Sequence, residues 1–273
     1  GDTFMIQPGS YYDELAPMHG GKPGQPIVFR RNGPGQAIID GQGLRFQLIK
    51  LLDLEHIVID GLTMINPEEG CRNGVIYLNK CSDISISNCR MGVDKVVYYT
   101  SGPFLRAGSC QRLRFENNQG WGGDYPLTLV GCNDVLIKNN TIVDGTMTGS
   151  HIVDSREVTI INNLWCRPCI PEKSNQCLFF TAIETDKIVC DYNLFFSPYP
   201  THKVGLIRAG NATPLVYGDN LIDWQKNSPF DKHSIQADPR FRDYEKGDFR
   251  LQPDSPALGA GKDGENIGAT LPE

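Results

Sequence analysis

The sequence has no run of eighteen apolar residues, so no membrane-spanning helix is expected. It has no surplus of positive charge either. Lys and Arg number 26 against 32 Asp and Glu, a formal net charge of −6, which argues against a general affinity for nucleic acid. An anionic partner would have to be met by a local cluster of cations. No secretory leader is visible, a segment that a processed chain would have lost. Strong helical periodicity is missing as well: no stretch places apolar residues three and four apart as regularly as others alternate them. That leaves strands to build whatever core 273 residues can bury.

Alternation recurs in a fixed context. The stretch "VGCNDVLIKNNTIVDG" has close counterparts in "NKCSDISISNCRMGV" before it and "VDSREVTIINNLW" after it. Aligned on the residue just before each central strand, Leu54, Cys81, Cys110, Cys132, Ser155 and Thr185 follow one another at intervals of 22 to 30 residues. Such a period is the signature of a solenoid. Each unit carries three short apolar pieces, "LTL", "VLI" and "TIV" in one instance, read as three strands per coil. The fold class that follows is all-β: a single right-handed parallel β-helix, each strand pairing with its counterparts ~4.8 Å away in the coils above and below. Asn118, Asn140, Asn163 and Asn193 fall at one position of the repeat, after the central strand. A sharp bend is needed there, asparagine tolerates left-handed backbone, and its amide can bond to the next in the stack. These residues are read as a structural Asn ladder.

The nine cysteines, an odd number, divide in the same way. Cys81, Cys110 and Cys132 share one repeat position and are expected to be buried, stacked thiols. Cys166, Cys169 and Cys177 lie close together in "CRPCIPEKSNQC", where a loop staple or packed thiols is a better reading than zinc, since no second CxxC or nearby His completes four ligands.

The opening "GDTFMIQPGSYYDE", with "GKPGQPIVFRRNGPGQAIIDG" after it, resembles the first coils of the pectin-lyase-like right-handed β-helix superfamily. The ending "ADPRFRDYEKGDFRLQPDSPALGAG" is similar to the closing segment of many secreted bacterial members, so with the coils the resemblance covers nearly the whole chain. It implies a secreted or cell-surface protein acting on or binding polysaccharide, but not one reaction: the superfamily holds lyases, hydrolases, epimerases and non-catalytic proteins. Its members usually carry a capping helix before the "GDT" strand, so an upstream segment is expected. Residues 1–210 are read as coils and 211–273 as a C-terminal closing segment of the same domain. That segment holds a short helix in "DNLIDWQKNSPFDKHS" and a strand in "DFRLQPDSPALGAG".

Outward positions on the first strand of each unit form a ribbon along the axis. Counting back four from the aligned residue gives Lys50, Tyr77, Arg106, Thr128, His151 and Thr181. Arg208 continues the column, because "LIRAG" repeats "FLRAG". Cations, a histidine and a tyrosine stand there without a carboxylate. Loops entering the strand supply the expected walls: Glu68, Glu69, Asp94, Lys95, Tyr98, Tyr99, Trp121, Asp124, Tyr125 and Asp144. Flat rings beside polar groups suit a saccharide.

Three readings follow. In β-elimination on a uronate polysaccharide, Arg106 neutralises the carboxylate, His151 or Tyr77 is the base, and Lys50 is an alternative. Arg208, Trp121, Tyr125, Asp124, Asp154 and Glu184 are expected to touch substrate. The resemblance adds calcium as a conceivable cofactor, with Glu68, Glu69 and Asp124 as candidate ligands, although they follow no calcium-loop spacing. Glycoside hydrolysis needs two carboxyl groups, for which Asp154 and Glu184, at one repeat position in consecutive coils, or Asp124 and Asp144, are the pairs. A non-catalytic glycan-binding or surface β-helix is the third. His19, His56, His202 and His233 read as surface histidines, and the Asn-x-Thr sequons at Asn139 and Asn211 carry no weight. The favoured reading is an acidic-polysaccharide lyase.

Overall fold

A computed structural model of the protein describes residues 1–68, 70, 73–92, 102–145, 149–166, 176–198, 203–208 and 214–271. Glu69, Asp94, Lys95, Tyr98, Tyr99, Cys169, His202 and Asn211 lie outside the described residues.

The chain winds into a right-handed parallel β-helix with three sheets running along its length. The first sheet has eight parallel strands, from Thr3–Ile6 through Gln111–Glu116 and Asn133–Lys138 to Ile188–Asp191. The second has nine shorter ones, from Gly9–Tyr11 through Arg90–Gly92 and Gln119–Trp121 to Leu194–Phe196, with Ile235–Gln236 as the ninth. The third runs through Ile49–Leu52, Ile76–Asn79, Leu105–Gly108, Leu127–Val130, Ser150–Val153, Gln176–Thr181 and Lys203–Arg208. An antiparallel strand, Pro214–Gly218, completes it.

Alternation explains why these segments stack. Leu113 and Phe115 sit over Val135 and Ile137, which sit over Val158 and Ile160, all turned inward and at most 2 % exposed. Arg114, Leu136 and Thr159 point outward between them. Each such aliphatic side chain contributes about 1.5–3 kcal/mol by leaving water. One coil cannot bury this face alone, so the coils stabilise one another.

The bend after the first sheet is built by two asparagine columns, not one. Asn118, Asn140, Asn163 and Asn193 are fully buried, and each Oδ1 accepts the backbone N–H of the residue one coil back: Cys89, Asn118, Asn140 and Asn163. The left-handed backbone expected of them belongs to the preceding residues, Asn117, Asn139, Asn162 and Tyr192, with φ of 53–58°. The bend and the ladder are thus divided between neighbours. Cys81, Cys110 and Cys132 form the expected buried thiol column, with Ser155 next, its Oγ accepting the Cys132 N–H at 3.0 Å.

At the C-terminal end the ladder meets a polar plug. The Asn193 N–H donates to Ser234 Oγ and its Nδ2 to Asp231 Oδ1. The fully buried Asp231 carboxylate also accepts from Ser234 Oγ and Trp224 Nε1. Trp224 lies on the short helix Leu221–Asn227, and Gly205 and Gly218 leave room for its ring, which any Cβ there would strike. The last residues fold back as an antiparallel pair, Phe241–Asp243 with Asp248–Leu251, over the outer face of the second sheet.

Candidate functional site

The outward face of the third sheet places Lys50, Tyr77, Arg106, Thr128 and His151 side by side in consecutive strands. Their neighbours within the strands, among them Leu105, Ala107, Leu127, Leu129, Ser150 and Ile152, are buried. The next two members differ from the expected column. His151 is opposite Phe179, and Phe179 is opposite Leu206, whereas Thr181 and Arg208 pair with each other beside Val153. The cause is the turn length: four residues join Val153 to Val158, but six join their partners Thr181 and Ile188. Counting back from Thr185 therefore slips by two. Because strand side chains alternate with period two, the slip keeps Thr181 and Arg208 on the outward face but moves them to a second, parallel lane.

Phe179 is the residue that sequence reasoning missed. It lies outward between buried Leu178 and Phe180, so "LFF" reads as a continuous apolar run that hides its alternation. Its ring stacks on the His151 imidazole, centroids 4.4 Å apart and planes 3° apart. The Arg208 guanidinium stands over its other side at 5.4 Å from the ring centroid. Tyr125, in the turn entering Leu127–Val130, approaches His151 at 5.9 Å. His151 Nε2 is 3.2 Å from Thr181 Oγ1.

Burial, and then the nearby charge of Arg208, push the His151 pKa down to about 4. The imidazole is therefore neutral at neutral pH, able to accept a proton. Arg208 makes no ion pair among the described residues, and its Nε, shielded from solvent, has no hydrogen-bond partner there. Neither outward lane of these strands contains an Asp or Glu.

Other expected residues are placed elsewhere. Trp121 ends a strand of the second sheet and packs against Phe249 of the C-terminal pair at 6.4 Å, away from the ribbon. Its large ring is used to seat the closing segment. Asp144 follows another second-sheet strand and accepts a hydrogen bond from Tyr244 Oη of the same segment. Asp124 is buried in the turn before Tyr125, and Glu68 lies in the loop leading to Ile76–Asn79. Asp154 and Glu184 are not equivalent positions: the partner of Asp154 one coil on is Ala182, each left-handed, and Glu184 sits in the longer turn. Both nevertheless line one depression of about 450 Å³, with Arg156, Gln111 and Asn133, at the turn beyond the third sheet.

Residues 32–237 match the family model described as periplasmic copper-binding protein (NosD). None of the curated proteins compared with the chain matches it. Among solved structures, the chain is similar to one titled "Rhamnogalacturonan lyase", with 10% sequence identity and a TM-score of 0.39 over 100% of this chain and 88% of that one. A likeness this distant says nothing about activity. The copper of the family's description finds no home among the described residues, where no three His, Cys, Asp or Glu side chains are arranged to hold a metal ion. Of the calcium candidates, Glu68 and Asp124 belong to no such group, and Glu69 lies outside the described residues.

Proposed function

We propose that this chain, which belongs to the periplasmic copper-binding protein (NosD) family, binds an acidic polysaccharide along the outward face of its third sheet and cleaves it by β-elimination. The observation that carries this reading is the register that stacks Lys50, Tyr77, Arg106, Thr128 and His151 with no carboxylate among them. The parallel β-helix is a fold associated with carbohydrate, and the family's description supports a place outside the cytoplasm, where polysaccharides are met.

Thr128 is short and lies between Arg106 and His151, whose strands are two spacings, ~10 Å, apart. A uronate seated over Thr128 has the guanidinium on one side and the neutral imidazole on the other. Arg106 neutralises the carboxylate, which acidifies the adjacent C–H. His151 takes that proton, the C–O bond to the neighbouring sugar breaks, and a C=C bond forms in its place. Tyr77, beside Arg106, returns a proton to the departing oxygen. Tyr125 offers a ring face and Phe179 a ring edge to adjacent sugars, and Arg208 offers a second charge one lane over.

The test is to incubate the protein with alginate, pectate or a glycosaminoglycan and follow absorbance at roughly 235 nm, where unsaturated uronates absorb. A rise is expected with at least one of them, and Arg106→Ala should lower it by about 10²-fold or more. Reducing sugar without absorbance would replace elimination with hydrolysis, for which the shared depression at Asp154 and Glu184 is the candidate place. Saturable binding with neither product would reduce the function to glycan recognition.

A further inference from the structure

A second cluster of cations lies on a different face. Between the outer face of the second sheet and the C-terminal antiparallel pair is a groove of about 450 Å³, lined by Arg31, Arg90, Lys246 and Arg250. Two of these charges are already answered: Arg250 grips Asp248 through Nε and Nη2, and Lys246 Nζ bonds Asp243 at 2.7 Å. The other two are not. Among the described residues Arg31 donates only to the Gly35 carbonyl and Arg90 makes no hydrogen bond or ion pair, the Asp248 carboxylate that also lines the groove acting on Arg90 through its charge alone. Burial first, then the charges of Arg31 and Arg250, work against the protonated form of Arg90.

The floor of the groove is polar and equally unanswered. Arg90 stands in the second sheet between Thr63 and Gln119, one coil to either side. Thr63 and Gln119 are only 6 % and 7 % exposed, both line the groove, and neither side chain has a hydrogen-bond partner among the described residues. The guanidinium, the amide and the hydroxyl all open on one space, where no protein group among the described residues answers them. That juxtaposition marks a place able to receive something. It must accept hydrogen bonds from a guanidinium, an amide and a hydroxyl, and it must carry negative charge.

We infer that this groove is a binding site for an oxyanion, a sulfate or carboxylate group, held by Arg90 and Arg31 over Thr63 and Gln119. The volume suits a free ion with water or one acidic sugar residue. The site is separate from the third-sheet ribbon, and it stands whether or not that ribbon cleaves anything.

Calorimetric titration of the whole chain with sodium sulfate, and separately with a uronate trisaccharide, at ionic strength held constant with chloride, tests it. Saturable binding is expected for at least one, with the trisaccharide titrated into an Arg106→Ala background that removes the ribbon's grip on a uronate, and it should be at least about tenfold weaker once Arg90→Gln is added. Sulfate alone would identify a free-ion site, and mutual competition would identify the sugar acid. Gln119→Leu, which leaves every charge in place, should weaken binding too. In the absence of anion, Arg90→Gln should melt no lower than wild type, because it removes an unpaired half-buried charge. Loss of folding in Arg90→Gln, no saturable binding of either probe, or equal binding by wild type and both groove variants would overturn the inference.

Discussion

His151 concentrates the physics of the ribbon in one side chain. Its imidazole titrates near 6.5 when exposed and near 4 in the fold, held neutral by burial and by Arg208. Between those values the unfolded chain binds the extra proton. The stability contributed by the neutral ring is therefore complete above about pH 6.5 and is lost as pH falls through 4. Denaturant titrations of wild type and His151→Phe across that range should show wild type losing stability relative to the variant as the pH drops. A constant difference would mean that the ring is not buried beside Arg208 as described. Arg106 and His151 were legible from sequence because the turns between their strands preserve the count. Phe179 was not, since both its neighbours are apolar and its own strand follows no visible punctuation.

At the scale of the coil, the turns decide what a repeat can reveal. Six residues instead of four after Thr181 displaced that predicted ribbon member by one lane, and the likeness of "LIRAG" to "FLRAG" misplaced Arg208 by the same step, without changing the face of either. The Asn ladder was legible because a fully buried amide at each bend is nearly the only way to satisfy the neighbouring N–H groups. The second asparagine column, which takes the left-handed backbone, blurs into it in sequence as "NN". Asn140 is the clearest test. Its Oδ1 accepts from Asn118 N, and its Nδ2 donates to Phe115 O and Asn163 Oδ1. Asn140→Ala strands those groups in the interior and should cost about 2–4 kcal/mol in equilibrium unfolding. A loss below about 0.5 kcal/mol would show that the ladder carries little of the stability.

The whole molecule treats its three faces differently. The second sheet is covered by the chain's own C-terminal segment, which takes up Trp121, Phe241 and Phe249, while the third sheet keeps its charged strip outward. None of this follows from repeat spacing, because the closing segment lies outside the period and its docking face depends on contacts far apart in sequence. That segment also terminates the ladder through Asp231, whose carboxyl pKa is raised by burial despite four donors around it. Asp231→Ala leaves Trp224 Nε1 without its acceptor, removes one from Asn193 Nδ2 and Ser234 Oγ, and should lower stability by about 2–4 kcal/mol. Unchanged unfolding would argue that the plug is incidental to holding the last coils.

On this reading an acidic saccharide lies along the third sheet. A crystal structure of His151→Gln, chosen to slow turnover, with a uronate hexasaccharide bound tests it most directly. A uronate is expected over Thr128 with its carboxylate within about 4 Å of the Arg106 guanidinium, and further sugars running toward Phe179 and Arg208. A saccharide bound only on another face, with this strip bare at saturating ligand, would contradict it.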